Sequence, residues 1–292
     1  MTIPSHATQF TFQTDWVDRR GIFLVLAFYL GGLGAGLYIM SLYFNFFAGL
    51  VTGFLIVLVG KSGAHLIFLG RPLRVWRGFA KPQSSWISRG LIAIFLFLIP
   101  AALQLASSLP AFSWLPWASD NLALQVFVFI GAFALMAYTG FALAAVRAIP
   151  AWNTSMIPVI FITYSILGGA GLSLGMLSGI ENNVDMHLVE TIVTWLLIIV
   201  AVLIGIYLWA TYYTTPAGTR SVMEMIKGKA SPFFLGGMVV LGLALPLCVG
   251  IISLTVSPVP PPVAVIASAC ELIGGFSMRY SIFKAGIYAP VI

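Results

Sequence analysis

Apolar residues run through this chain in eight long blocks, at about 21–43, 46–70, 87–107, 121–146, 155–178, 187–212, 233–256 and 262–283. Each is long enough for the roughly 20 residues a helix needs to cross a bilayer. None alternates with the period of two that a barrel strand requires, and a helix satisfies its own backbone in lipid. The pattern predicts an all-α integral membrane protein with eight transmembrane helices. They are expected as two four-helix bundles in a single domain over 1–292, with a polar tail at 1–20 and no separate soluble domain. Pro100, Pro158 and Pro246 fall inside blocks and are expected to kink them. GGLGAG at 31–36 places small residues at helical spacing, which favours close helix packing. A phosphate-cradling glycine loop would need a preceding strand.

Composition and charge sharpen the picture. Of 292 residues, 60 % are hydrophobic and 8 % charged, whereas soluble domains carry about a quarter charged. A cytosolic enzyme, a disordered chain and a nucleic-acid-binding domain are thereby excluded. Thirteen of the fourteen basic residues fall on one side if the N-terminus is cytoplasmic: Arg19, Arg20, five in the second loop, Arg147, Arg220, Lys227, Lys229, Arg279 and Lys284. The other side holds only acids, Asp120, Glu181 and Asp185. This bias predicts a multi-pass protein of a prokaryotic cytoplasmic (inner) membrane with both termini inside. No cleavable signal segment is expected at the N-terminus. Residues 109–117, with Trp114 and Trp117, read as an interfacial segment, and PVPPP at 258–262 as a stiff outer turn.

Ionisable groups within spans are the candidates for chemistry. Lys61 lies near the middle of span two, and His65 follows one turn later on the same face. Glu271 lies midway along span eight, Glu190 begins span six, and Arg279 is expected to snorkel toward the inner surface. Lys61 and Glu271 read either as a buried ion pair fixing register or as a proton-relay pair. His65 reads as a packed histidine or as a ligand group able to exchange a proton near neutral pH. Tyr138, at a depth similar to His65, reads as packing or as a phenol donor; Tyr164 is a weaker case. Haem is not expected, because His6, His65 and His187 cannot pair across one ring in the core. Nor is an iron–sulfur cluster or other metal centre expected, with only Cys248 and Cys270, which read as small buried hydrophobes or, alternatively, as a disulfide or metal pair. An electron carrier used by this chain would have to be a lipid-soluble quinone.

The second loop reads LGRPLRVWRGFAKPQSSWISRG over 69–90. It resembles the signature of the NrfD/PsrC-like family, the membrane subunits of polysulfide reductase and related complexes. GGLGAGLYIM at 31–40, TYSILGGAGLS at 163–173 and GGFSMRYSIFKAGIYAP at 274–290 agree with it. The resemblance implies a haem-free anchor that binds menaquinone or ubiquinone. It also implies an iron–sulfur, ferredoxin-like partner subunit and a catalytic, often molybdopterin, subunit, so the chain would not be catalytic alone. The family's quinone pocket lies near the LGRP face, which here implies Arg71 and the end of span two, with Trp86, Ser88 and Arg89 as motif matches. Phe68 stands where the family often has His or Asp, and Gly90 where it often has an acid.

The expected quinone-binding set is His65, Arg71, Tyr138 and Lys61, and the expected proton path is Lys61, Glu271 and Glu190, should electron transfer be coupled to protons. Arg71, Arg74, Arg77, Lys81 and Arg89 form a basic cluster suited to docking an acidic partner, or to ordinary attraction to anionic membrane lipid. A competing expectation is a secondary transporter or proton channel working through Lys61 and Glu271. No nucleic-acid partner is expected.

Overall fold

The computed structural model describes residues 10–112, 114, 121–181, 183–256 and 258–289. His6, Trp117 and Asp120 lie outside them. Nine helices organise the described chain: α1 Gly21–Tyr43, α2 Phe47–Leu69, α3 Trp86–Ser107, α4 Leu122–Ala144, α5 Met156–Leu177, α6 Met186–Thr214, the short α7 Pro216–Lys227, α8 Pro232–Ser253 and α9 Pro261–Lys284. All but α7 are long and apolar enough to cross a membrane. The protein is an all-α integral membrane protein with eight spans, as the hydropathy pattern predicts.

Local chemistry fixes the ends. Asn121 and Asp185 accept backbone N–H groups at the starts of α4 and α6, and Thr215 does so for α7, satisfying donors that a helix start leaves free. Gly70 ends α2 in the left-handed region at φ 66, a cap that glycine adopts without a Cβ penalty. Within α2, residues Ile56–Lys61 form a π-turn, and Ser62 Oγ donates to the Val57 carbonyl at 3.0 Å. Its hydrogen bonds span five residues, so hydropathy does not reveal it.

The spans form two rings of four. In the first, α1 packs on α2 and α4, and α3 on α4. In the second, α5 packs on α6, α6 on α8, α8 on α9 and α9 on α5. The rings share a seam of α1 and α4 against α5. It is close because glycines meet there: a Cβ on Gly36 would strike the Ser165 backbone, and one on Gly169 the Gly36 backbone. Residues 31–36 thus do the packing expected of them.

Two expectations need correction, and one holds. Pro158 is the third residue of α5, where the missing N–H has no intrahelical partner anyway, so it bends nothing. Pro100 does sit inside α3 and takes away the N–H that the Leu96 carbonyl would accept; Gly131 of α4 lets its backbone close on that carbonyl. Cys248 is exposed and Cys270 half-buried, both free thiols, because their sides of α8 and α9 turn outward.

The first and last described stretches of the chain meet at one end of the molecule. Phe12 bridges Ile287, Gln13 N–H donates to Gly286 O at 3.0 Å, and Tyr288 N–H to Thr11 O at 2.9 Å. The buried Gln13 side chain donates to the Phe283 carbonyl. Trp16 packs edge-on to Trp152, whose Nε1 donates to Ile282 O at 2.8 Å. This strap covers the end of the first ring and ties it to α9.

Candidate functional site

Beneath the strap, the first ring encloses a cavity of about 280 Å³. Its walls come from Leu24 and Phe28 of α1, His65, Phe68 and Leu69 of α2, Ile87, Gly90, Leu91 and Ile94 of α3, and Tyr138 and Ala142 of α4, with Asp15 and Trp16 of the strap at the rim. It exists because the last turns of α2 lean on α1 rather than on α3. Phe68, where the family pattern leads one to expect an acid or histidine, is part of the apolar wall, in ring contact with His65 at 6.1 Å. His65, one turn earlier, is the polar side chain in this part of the wall.

His65 is 9 % exposed, and its Nδ1 is buried without a hydrogen-bond partner. Leaving a buried polar atom unpaired costs about 1–3 kcal/mol, so a polar ligand atom in the cavity would recover that cost. Across the cavity, Tyr138 Oη accepts a hydrogen bond from Lys61 Nζ at 3.0 Å. Lys61 is fully buried behind Tyr138, outside the cavity lining, with its aliphatic stem on Gly31. Tyr138 itself is part of the cavity lining. The Tyr138 ring is held edge-on by Phe28 at 5.7 Å. Gly90 makes room for it: a Cβ there would come within 2.6 Å of ring atom Cδ2. The absence of an acid at position 90 thus has a steric reason, since any side chain would overlap the tyrosine.

The motif loop is largely structural. Ser85 caps α3 by accepting from Ser88 N–H. Trp86 stacks on Phe141 of α4 at 5.2 Å. Arg89 lies over Trp86 at 4.4 Å and donates to the carbonyls of Pro82 and Gln83 at 2.9 and 2.7 Å. Its guanidinium closes the loop, which sets it apart from the four exposed basic residues of the expected docking set, Arg71, Arg74, Arg77 and Lys81. Arg71, expected at the pocket, is exposed and does not line the cavity.

The remaining candidates lie in the second ring. Glu190 Oε1 accepts from Val259 N–H at 2.8 Å, tying the start of α6 to the turn before α9. Glu190 and Glu271 line one small void of about 10 Å³. Glu271 lies against Gly171, and its Oε2 has no hydrogen-bond partner. Lys61 and Glu271 therefore belong to different rings, and among the described residues no ion pair joins them. Arg279 does not snorkel. It is 1 % exposed, donates to Gly275 O, Phe161 O and Ser165 Oγ at 3.2, 3.4 and 3.0 Å, and lies over the rings of Tyr29 and Phe161. Acceptors on α5, together with the gap left by Gly32, draw it inward. The Tyr164 hydroxyl is buried without a partner, apart from the first-ring cavity.

Comparison with known proteins places this architecture. The chain is similar to a sulfite dehydrogenase subunit of Allochromatium vinosum, at 30 % identity over 128 residues, which is 40 % of this chain and 37 % of that relative. The match therefore spans well under half of the curated relative. The profile described as "Polysulphide reductase, NrfD" matches residues 19–290, from the strap through the end of α9. With eight spans, the motif loop and a match over nearly its whole length, the chain belongs to the polysulphide reductase NrfD family of redox-complex membrane subunits.

Proposed function

We propose that this chain is the quinone-reactive subunit of its redox complex, with the quinone head group between His65 and Tyr138. The observation that carries the reading is that His65, whose buried Nδ1 has no hydrogen-bond partner, and Tyr138 line the same apolar cavity. The cavity, about 280 Å³, is close to the lower end of the ~300–1,000 Å³ range of small-molecule sites. That suits one flat ring system held inside with its tail in lipid. The exposed apolar side chains Leu69 and Ile87 stand where the tail would leave.

A menaquinone or ubiquinone supplies two-electron, two-proton redox chemistry at a pair of ring oxygens. The protein supplies geometry and protons. His65 takes or gives a proton at one oxygen of the head group. Tyr138 donates its O–H to the other, and the Lys61 amine behind it, donating to the same phenol oxygen at 3.0 Å, strengthens that donation. Asp15, exposed at the rim, passes protons between the cavity and water. Apolar walls from Phe28, Phe68, Leu91 and Ile94 exclude bulk water and strengthen these contacts.

An iron–sulfur subunit docks at the terminal end, above the cavity, and carries electrons to or from a catalytic, molybdopterin-type subunit. The kinship with a sulfite dehydrogenase subunit supports such an assembly. The concentration of basic residues there faces the cytoplasm of a prokaryotic inner membrane. Coupled proton movement, where it occurs, uses Glu271 and Glu190 of the second ring, whose shared void of about 10 Å³ is close to the size of one water.

The test is His65→Ala in the intact complex. The iron–sulfur clusters are still reduced from the catalytic side, while electron exchange with quinone falls by roughly ten- to a hundredfold, the loss of one hydrogen bond to a polar ligand. Unchanged quinone turnover would remove the site.

A further inference from the structure

The loop after α2 contains a three-sided wedge whose sides have three different chemistries. Residues Pro72–Phe79 form a 3₁₀-helix, closed by hydrogen bonds such as Arg74 N–H to Arg71 O at 3.0 Å. With three residues per turn, side chains at i and i+3 eclipse, so the stretch sorts into three straight edges. The first, Val75 and Gly78, faces protein; Gly78 is seated on the Leu91 side chain of α3. The second is apolar and exposed: Leu73 is 91 %, Trp76 64 % and Phe79 38 % exposed, with the Arg77 guanidinium over the Trp76 ring at 5.3 Å. The third is Arg71, Arg74 and Arg77, all exposed.

The position of the wedge says what covers the apolar edge. Phe79 packs on Phe95 at 5.6 Å, and Phe95 belongs with Ile92 and Ile99 to the exposed apolar face of α3, the face a bilayer covers. Leu91 and Phe95 are five and nine residues into α3. Helical side chains lean back toward the N-terminus, and the rise is ~1.5 Å per residue. The wedge therefore lies alongside the second turn of a membrane-crossing helix, below its start, and its apolar edge continues the lipid-facing surface.

We propose that Pro72–Phe79 is an interfacial wedge that holds anionic phospholipid: Leu73 and Trp76 enter the acyl boundary, and Arg71, Arg74 and Arg77 gather the phosphates. A tryptophan at this depth matches the preference of indole for the interface. Three guanidiniums one turn apart are geometrically suited to phosphate oxygens. The same arginines are thereby assigned to lipid rather than to a protein partner, and the assignment does not depend on what the cavity binds.

The experiment uses the purified complex in nanodiscs of mixed phosphatidylcholine and phosphatidylglycerol. Lipids brominated on the acyl chain quench the Trp76 emission, read as the difference between wild type and Trp76→Phe. Native mass spectrometry of the detergent-extracted complex finds phosphatidylglycerol retained by wild type. The triple variant R71Q/R74Q/R77Q binds it roughly a hundredfold more weakly, at the attraction expected per basic residue near an anionic surface. R71K/R74K/R77K, which keeps the charges, retains most of it. A Trp76 emission indifferent to brominated chains overturns the proposal. So does unchanged lipid retention in the triple glutamine variant, or loss of the iron–sulfur subunit from that variant with lipid retained, which would make the edge a protein-docking surface.

Discussion

Gly90→Ala tests how the Tyr138 ring is seated, and its effect should change sign with the residue at 138. In the wild-type background the new Cβ comes within 2.6 Å of Cδ2 and 2.9 Å of Cζ of the ring. The ring has little room to retreat, because its hydroxyl is held by Lys61 at 3.0 Å and its edge lies on Phe28. Overpacking of this kind costs about 1–3 kcal/mol, set against a gain of roughly 0.5–1 kcal/mol for replacing glycine inside a helix. The net expectation is destabilisation by about 1–2 kcal/mol. In a Tyr138→Ala background the obstructing ring is gone, so only the helix gain remains and Gly90→Ala stabilises. Reversible unfolding in mixed micelles, run as a double-mutant cycle, measures both steps and their coupling. Quinone binding to the wild-type-background variant should weaken as well, since the displaced ring enters the cavity. A Gly90→Ala effect of the same sign and size in both backgrounds would refute the seating.

Other consequences are as direct. Lys61→Met removes a fully buried amine that donates to the Tyr138 hydroxyl; stability should hold or rise, because an apolar side chain of similar length pays no cost for burying a polar group, while quinone turnover falls roughly tenfold or more because the phenol loses its donor. Glu271→Gln should leave electron transfer to quinone unchanged but reduce proton uptake measured in vesicles, and equal uptake would exclude the second-ring path. Gly36→Ala drives a Cβ to 2.6 Å from the Ser165 carbonyl carbon, backbone that cannot give, and should cost at least ~3 kcal/mol; Gly63→Ala, with nothing within 4 Å, should be neutral or stabilising in the same unfolding assay.

The spans are legible in the sequence because hydropathy is a one-dimensional property: each observed span lies within a few residues of its apolar block. That His65 and Tyr138 line one cavity is legible for a related reason, since counting residues from the loops places both at one depth, and depth is what a shared cavity requires. What depends on the third dimension is not legible. Lys61 and Glu271 sit at comparable depth, yet depth does not say which ring a helix joins. Arg279 is near a span end, where snorkelling is the usual outcome, but carbonyl and hydroxyl acceptors of Phe161 and Ser165, far away in sequence, hold it inside. Arg89 reads as one more loop charge, and the two carbonyls it binds become close only once the loop folds. The role of Asp15 and Trp16 at the cavity rim rests on strap pairing with residues 286–288, a contact between the two ends of the chain that periodicity does not encode. Gly90 is visible only as a departure from the family motif; the ring that explains it lies on another helix.

Placement of the quinone head group in the first ring, between His65 and Tyr138, is the claim on which the mechanism depends. Photolabelling of the intact complex with an azido-quinone, followed by peptide mapping, tests it most directly. Label is expected on the α2 segment around His65 and Phe68, the α3 segment from Ile87 to Ile94, and α4 around Tyr138, with competition by unlabelled quinone. Label confined to the second ring, beside Glu271 or Arg279, would contradict it.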